Sequence, residues 1–396
     1  MLCLIISSSR KLGIPRNIDL IETRWIEEFF DKIDKNRPVI NLGIGEPDFG
    51  VPNDIIKEAY RAMAEGKNRY TPTAGIHQLR ELIAERYGSA WDADIDYSNV
   101  ILTPGASNAL FMLIASIVDE GDEVLIPMPS YPHYEAVVRL LGGKPIEIPT
   151  KLEKDFEPEI EEINKRITRK TKLIIINTPT NPTGYVYDDR TMSALVDIAL
   201  EKGIYIISDE VYENFVYEGK FVSMNKFRSM FDRIVTVHSF SKTFGMTGWR
   251  LGFLIGNDFL ISNISKLQTY INACPPSIAQ YAALYALSSP FVAENIKLII
   301  NSYRERRDIV YNLLRNKGFD VSLPRGAFYI FPRIPVKMDS YEFCRGLLRS
   351  EGVVTMPGRA FGEAGEGYFR ITFAVDPEML RVAVELIEKF VLCYKK

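Results

Sequence analysis

Between about Tyr60 and Leu260, short apolar runs alternate with stretches whose apolar residues recur at helical spacing. That is the pattern of strands joined by crossover helices in a mainly parallel sheet. The runs at 100–102, 123–126, 173–176, 204–207, 234–237 and 251–255 predict six strands. Their continuous rather than alternating apolar character suits strands covered on both faces. Pro, Gly, Ser, Asn and Asp cluster around the ends of five of these runs, at 103–105, 127–130, 177–184, 208–210 and 239–242. In an open α/β sheet ligands bind beyond the carboxyl ends of the strands, so these five loops are expected to share one rim and form the site.

Downstream, the periodicity predicts a long helix over 293–316, a strand over 326–331 and helices over 341–349 and 377–391. The expected organisation is an α/β large domain with a mainly parallel sheet flanked by helices over 61–290, and a smaller α+β domain over 291–396. Residues 1–60 supply an N-terminal arm and part of the smaller domain. No internal repeat or low-complexity linker interrupts this plan.

Composition narrows the function. The 396 residues carry 48 Lys+Arg against 51 Asp+Glu, a formal charge of -3, so no basic excess points to nucleic acid or an anionic membrane. Hydrophobic residues at 46% and charged residues at 25% can build a core and exclude a disordered chain. Cys3, Cys274, Cys344 and Cys393 form no C-x-x-C pair, and His77, His133 and His238 are not spaced as metal ligands. No metal site is expected. His77 and His133 read as structural or surface residues, and Cys274-Pro275-Pro276 as a turn near the site mouth. The opening six residues are apolar but stop at Ser7-Ser8-Ser9-Arg10 without a basic leader or a cleavage site, which reads as a short arm. No run reaches the ~18 apolar residues of a membrane span. With unpaired thiols, a cytoplasmic protein is expected.

The chemistry concentrates in three segments. Ser239-Phe240-Ser241-Lys242 follows a buried strand, with Arg250 eight residues on. A desolvated lysine can lose its proton and form a Schiff base with an aldehyde, while the hydroxyls and the guanidinium suit a phosphate. A plain surface turn would use the same residues, but the glycines at 245, 248 and 252 and the apolar setting weaken that reading. Asp209 ends another buried run, where an unpaired carboxylate is costly and calls for a cation. A helix N-cap would use it equally well. Asn181, in Asn177-Thr178-Pro179-Thr180-Asn181-Pro182-Thr183-Gly184, belongs to a turn and is open to a ligand contact as well.

Taken together, Asn-Pro-x-Gly, then Ser-Asp-Glu-x-Tyr, then Ser-x-Ser-Lys with Gly-x-Arg resembles the pyridoxal-phosphate enzymes of fold type I, specifically the class I/II aminotransferases. The spacings agree, with 28 residues from Asn181 to Asp209 and 33 from Asp209 to Lys242. The likeness extends to Asn41-Leu42-Gly43-Ile44-Gly45-Glu46-Pro47-Asp48-Phe49, to Tyr70-Thr71-Pro72-Thr73-Ala74-Gly75 and to Phe369-Arg370-Ile371-Thr372-Phe373-Ala374. The resemblance implies pyridoxal 5'-phosphate bound as a Schiff base on Lys242, with Asp209 on the ring nitrogen. It further implies Asn181 and Tyr212 on the phenolic oxygen and Tyr131 stacked on the ring. The phosphate would lie on Ala106, Ser107, Ser239 and Arg250. Tyr70 would reach the phosphate of a neighbouring subunit, which implies a homodimer with shared sites. Gly45 and Arg370 would hold the substrate carboxylate, with Tyr131 and Asn181 also facing the substrate.

The implied reaction moves an amino group from an L-amino acid to a 2-oxo acid, 2-oxoglutarate by family habit, with ping-pong kinetics. Some dicarboxylate-preferring relatives carry a lysine where this chain has Ser107, or an arginine in the segment that here reads Gln268-Thr269-Tyr270-Ile271-Asn272-Ala273-Cys274. Neither is present, so an aromatic or broad donor is expected first and aspartate next. A lyase acting on C–S bonds would share the cofactor residues, and a non-catalytic regulatory module would share the fold. The latter would need a DNA-binding extension that does not fit before residue 40.

Overall fold

The computed structural model describes Ile18, Ile21 and residues 39–228 and 232–394. The apolar opening of the expected N-terminal arm lies outside the described residues. In chain order the strands are β1 (Ile40–Asn41), β2 (Val100–Thr103), β3 (Glu123–Met128), β4 (Lys144–Pro149), β5 (Thr171–Asn177), β6 (Tyr205–Asp209), β7 (Ile234–Ser239) and β8 (Gly252–Ile255). They are followed by β9 (Tyr329–Ile330), β10 (Val353–Val354), β11 (Met356–Pro357) and β12 (Phe369–Thr372).

A seven-stranded sheet in the order β2-β8-β7-β6-β5-β3-β4 forms the centre. β4, β3, β5, β6 and β7 run parallel, and β8 is antiparallel to both β7 and β2. All six strands expected from the apolar runs are present. The seventh, β4, reads Lys-Pro-Ile-Glu-Ile-Pro and lies at the edge, where exposed positions and prolines are tolerated. Only Ile148 in it is buried, so it lacks the apolar run that marks the central strands.

Alternation along the strands divides the core between two faces. Leu173, Ile175, Ile207, Val235 and Val237 pack beneath Leu110, Leu113 and Ile114 of the helix Ala106–Ile117. Ile174, Ile176, Ile206 and Ile234 pack on the other face with Leu195 and Val196 of the helix Asp189–Lys202. Between β3 and β5 the chain changes direction across the sheet, since β4 lies outside β3 and the next strands lie on its other side. Such a switch point opens a crevice at the carboxyl ends.

The carboxy-terminal part has the three-stranded antiparallel sheet β11-β12-β9, and the helices Pro290–Asn316, Ser340–Glu351 and Pro377–Tyr394. Phe328, Phe343, Phe369, Leu380 and Ile387 share its core. The long helix starts at Pro290, in the first turn where proline is preorganised, with the Ser289 hydroxyl accepting from Val292 N at 3.3 Å. The strand expected over 326–331 shrinks to Tyr329–Ile330. Ala327 adopts φ 56°, which interrupts the extended backbone, and Gly326 makes only an isolated bridge with Val216.

β1 runs parallel to β10, and the chain continues with Leu42 N donating to Val354 O at 2.9 Å and Thr372 N donating to Leu42 O at 2.9 Å. This threading delivers Gly43, Ile44 and Gly45 beside Arg370 of β12.

Candidate active site at the carboxyl ends of the strands

A cavity of about 530 Å³ opens where the five polar loops meet. Asn177 and Asn181 come from the end of β5, Asp209 from β6, Ser239, Ser241 and Lys242 from β7 and its short helix Phe240–Thr243. Ala106, Ser107 and Tyr131 line it from the loops after β2 and β3, and Gly45, Tyr329 and Arg370 come from the carboxy-terminal side. The register explains the level rim, since Asn177 is paired with Asp209 and Asp209 with Val237 across the ladders.

Lys242 is partly buried, and its Nζ donates to Gly45 O at 2.6 Å. Burial pushes the amine down to about 8, with Glu46 opposing the shift and the guanidinium of Arg370 adding to it. The amine is therefore neutral in a large fraction of molecules just above neutrality, as a nucleophile or base must be. One consequence is measurable. In cofactor-free protein, the rate at which borohydride-fixed pyridoxal appears on Lys242 should climb ~tenfold per pH unit up to about 8 and then level. A midpoint in the ordinary lysine range would remove the burial argument.

Asp209 is 3% exposed. Tyr134 donates its hydroxyl to Oδ2 at 2.6 Å, and Val211 N donates to Oδ1 at 3.3 Å. Burial pushes the carboxyl up to about 6, although Tyr134, the Val211 amide and the charge of His238 all favour ionisation. The alternative of a helix N-cap is not what the structure shows, because a turn follows Asp209 rather than a helix. No Lys or Arg pairs with it directly among the described residues. The carboxylate instead faces the cavity, where the positive ring nitrogen of a ligand would complete it.

An anion cradle lies opposite. The helix Ala106–Ile117 begins at the cavity, and its N-cap Gly105 offers no side chain to its first N–H groups, so the Ala106 and Ser107 end is open to a phosphate. Gly105 is at φ 83°, and a Cβ there would collide with the Arg250 guanidinium, so the glycine lets that cation close on the helix end. Ser239 N-caps the next helix, its hydroxyl accepting from Ser241 N at 3.1 Å. Arg250 is anchored by Nη1 donating to Thr247 O at 2.7 Å.

Arg370 is 5% exposed. Its Nη1 donates to Asn181 Oδ1 at 2.9 Å and its Nη2 to Gly43 O at 2.5 Å, while Nε has no partner. The guanidinium lies 4.4 Å from the Tyr329 ring centroid and 4.9 Å from that of Phe361. A buried cation with an unused donor, beside a neutral-prone lysine, is suited to a carboxylate. Tyr212 is buried, its hydroxyl 2.8 Å from that of Tyr329. A Cβ on Gly45 would lie 2.6 Å from the Tyr329 hydroxyl, so glycine is required for this close approach. Tyr131 lines the cavity with its ring edge-on to Tyr134 and stacked on His133, at 5.6 and 5.7 Å between centroids.

Sequence reasoning placed Lys242, Asp209, Tyr212, Asn181, Tyr131, Ala106, Ser107, Ser239, Arg250, Gly45 and Arg370 around one ligand, and all of them line this cavity. Tyr70 does not. It is 87% exposed and outside the lining of its own chain's cavity. Tyr134, Tyr329 and Phe361 escaped notice. Tyr134 had a usable signal, standing three residues after Tyr131 at a helix start, whereas Tyr329 and Phe361 reach the cavity only through the carboxy-terminal sheet. Of the structural and surface alternatives for His133, the structural one fits, since its Nε2 lies 3.0 Å from Ser107 O. Glu210, Glu213 and His238, which no spacing rule joins, come together beside Asp209.

The open helix end with its arginine, the unpaired buried carboxylate and the depressed lysine on one cavity wall fit pyridoxal phosphate, and the buried arginine beside them fits an amino acid. The fold and site thus define a pyridoxal-phosphate enzyme of fold type I. The chain belongs to the class I and II aminotransferase family, which matches residues 37–387, and it is an aminotransferase with pyridoxal phosphate as its cofactor. It is 41% identical to an aspartate aminotransferase of Pyrococcus horikoshii, over 96% of this chain and 97% of that one. It is 39% identical to aromatic-amino-acid aminotransferase 2 of Thermococcus litoralis, over 96% and 98%. The crystal structure of aromatic aminotransferase from Pyrococcus horikoshii superposes with a TM-score of 0.88 at 40% identity, covering 90% of this chain and 96% of that one.

Proposed function

We propose that this chain moves the amino group of an aromatic or broad-range L-amino acid, with aspartate the next choice, to a 2-oxo acid, 2-oxoglutarate first. The observation that carries the donor class is the wall around Arg370. Its guanidinium is held under Tyr329 and Phe361, with Met356 also lining the cavity. Lys242, Arg250 and Arg370 are the cations of the lining, and each already has a use in this reading. None is left for a second carboxylate, while the aromatic and apolar walls suit a ring.

When bound, pyridoxal phosphate supplies the electron sink for the charge left when the donor Cα loses its proton. Asp209, steadied by the Tyr134 hydroxyl, would keep a positive charge on the ring nitrogen. Ala106, Ser107, Ser239 and Arg250 would hold the phosphate, Asn181 and Tyr212 the phenolic oxygen, and Tyr131 would pack against the ring. Arg370 and Gly45 bind the α-carboxylate, which fixes the Cα hydrogen with respect to Lys242. Lys242 Nζ then takes and returns that proton, as the basic group its depressed pKa makes available. Residues 61–290 carry the cofactor, and 291–396 with part of 1–60 form the smaller domain that contributes Arg370 and Gly45.

A cytoplasmic homodimer completes the reading. Cys274, Cys344 and Cys393 are free thiols. Among the described residues no single helix is long and apolar enough to cross a membrane. The exposed aromatics Tyr70, Tyr270 and Phe259, at 87%, 92% and 76%, support burial against a second copy that receives Tyr70. Mixing Tyr70→Phe and Lys242→Ala protomers should restore one native-like site per heterodimer. Heterodimers that form without any gain in activity would end the shared-site reading.

The donor class is tested by following the cofactor's absorbance change with each of the twenty amino acids in the absence of acceptor. Phe, Tyr and Trp should react fastest, and 2-oxoglutarate should reset the spectrum. Preference for aspartate, or ammonia release without an acceptor, would overturn the assignment.

A further inference from the structure

Between β1 and the helix Asn53–Ala64 the chain runs past the cavity as an irregular strap. Among the described residues, 43–50 make no backbone–backbone hydrogen bond, so side chains hold this segment in place. Asn41 Oδ1 accepts from Gly43 N at 3.0 Å, Arg370 Nη2 donates to Gly43 O at 2.5 Å, and Lys242 Nζ donates to Gly45 O at 2.6 Å. The strap thus touches both Lys242 and Arg370, whose chain neighbours Phe240 and Phe369 belong to different cores.

Three residues beyond Gly45 lies a further anchor. Tyr303, 1% exposed on the long helix Pro290–Asn316, donates its hydroxyl to Asp48 Oδ1 at 2.6 Å and accepts from Asp48 N at 3.1 Å. Arg306, three residues on, donates Nη1 to Asp48 Oδ2 at 2.6 Å, and its guanidinium lies 5.0 Å from the Tyr303 ring centroid. Phe49 packs against the same ring, and Phe215 stacks on it at 5.6 Å and 27°. The helix is a frame common to both cores. Val292 packs with Phe240 and Phe253, whereas Tyr303, Val310 and Leu314 pack with Phe328 and Phe369. Pro47 locks one φ between Gly45 and Asp48, so the grip on Asp48 is passed along a stiffened segment. Just beyond, the strap rests on the turn that follows Lys242, where a Cβ on Gly245 would lie 2.9 Å from Phe49 O.

The pair of Asp48 with Arg306, whose side chains are 30% and 15% exposed, contributes little to stability by charge alone. What it supplies is position. Lys242 and Arg370 are the groups to be aligned, so they cannot serve as the strap's fixed reference. Asp48, Tyr303 and Arg306 lie outside the cavity lining and can.

We propose that Asp48 is a positioning residue: gripped by Tyr303 and Arg306, it fixes the strap Gly43–Phe49 and through it the spacing between Lys242 and Arg370. This rests on the reading of Lys242 as the base and Arg370 as the clamp for the α-carboxylate. A misplacement of ~1 Å can cost ~10²-fold in rate. A donor without a carboxylate is placed by the cofactor alone and does not use that spacing.

The test compares phenylalanine with 2-phenylethylamine, which has the same ring and no carboxylate, as donors for the holoenzyme. Asp48→Ala removes both side-chain acceptors, while Tyr303→Phe removes only the hydroxyl and keeps the ring. Each should lower kcat/KM for phenylalanine ~10- to 100-fold, with the amine within ~threefold of wild type and the cofactor retained on dialysis. Asp48→Asn keeps an oxygen for the Tyr303 hydroxyl and should recover most of the loss. Asp48→Ala combined with Tyr303→Phe should be little worse than Asp48→Ala, because the two act as one grip.

If Arg370→Ala slows both donors equally, the reading of Arg370 fails and takes the role of Asp48 with it. If Arg370→Ala slows phenylalanine selectively, yet Asp48→Ala and Tyr303→Phe leave it within ~threefold of wild type, the role of Asp48 alone is overturned. Equal losses with both donors in the Asp48 and Tyr303 variants, release of the cofactor, or fully additive losses in the double variant overturn it too, because the grip would then serve the fold and not the spacing.

Discussion

Lys242→Ala should lose turnover by at least ~10⁴-fold, the upper range of what one positioned proton-transfer group contributes. The size of the loss follows from the site. Lys242 Nζ is the one amine in the cavity lining, and the other cations there are the guanidiniums of Arg250 and Arg370, a group unsuited to act as a base. Borohydride treatment of wild-type holoenzyme should fix the cofactor on the peptide carrying Lys242, and the variant should release it on dialysis. Label on another lysine, or turnover within ~tenfold of wild type, would displace Lys242 from the centre of the reaction.

Arg370→Ala is expected to be the second largest effect. Removing one partner of a buried charge pair costs ~2 to 5 kcal/mol, or roughly 30- to 5,000-fold in kcat/KM for amino acid donors. The fold makes a control necessary, since Arg370 also donates to Asn181 Oδ1 and Gly43 O. Its loss could therefore loosen the cofactor's neighbours as well as the substrate. A simple amine donor has no carboxylate to hold and separates the two effects. Its reaction should fall far less than that of an amino acid. Equal losses for both would mean that the arginine supports Asn181 and the strand ends and that the α-carboxylate is held elsewhere.

The two substitutions also divide the molecule. Lys242 belongs to the short helix after a central parallel strand, and Arg370, 128 residues further along the chain, to a three-stranded sheet. Any movement of one core against the other would change the distance between Lys242 and Arg370, and with it the alignment that the proposed roles of base and carboxylate clamp require.

The sequence by itself determined the central sheet and which residues stand at its carboxyl ends. Buried parallel strands read as unbroken apolar runs, and the residues at their ends are local to those runs, so Asn181, Asp209 and Lys242 could be placed on one rim by counting. The edge strand β4 was illegible because an edge needs no apolar run. Tertiary structure alone decided what depends on chain segments far apart. Tyr329 reaches Tyr212 and Gly45, 117 and 284 residues away, and Tyr134 supplies the hydroxyl that holds Asp209 from 75 residues upstream. The cluster around His238 belongs to the same class. Its members lie on a turn and a strand, and only folding brings the imidazole of His238 within 3.5 Å of Glu213 and 3.9 Å of Glu210, a proximity that exists in the packed interior and in no stretch of the sequence.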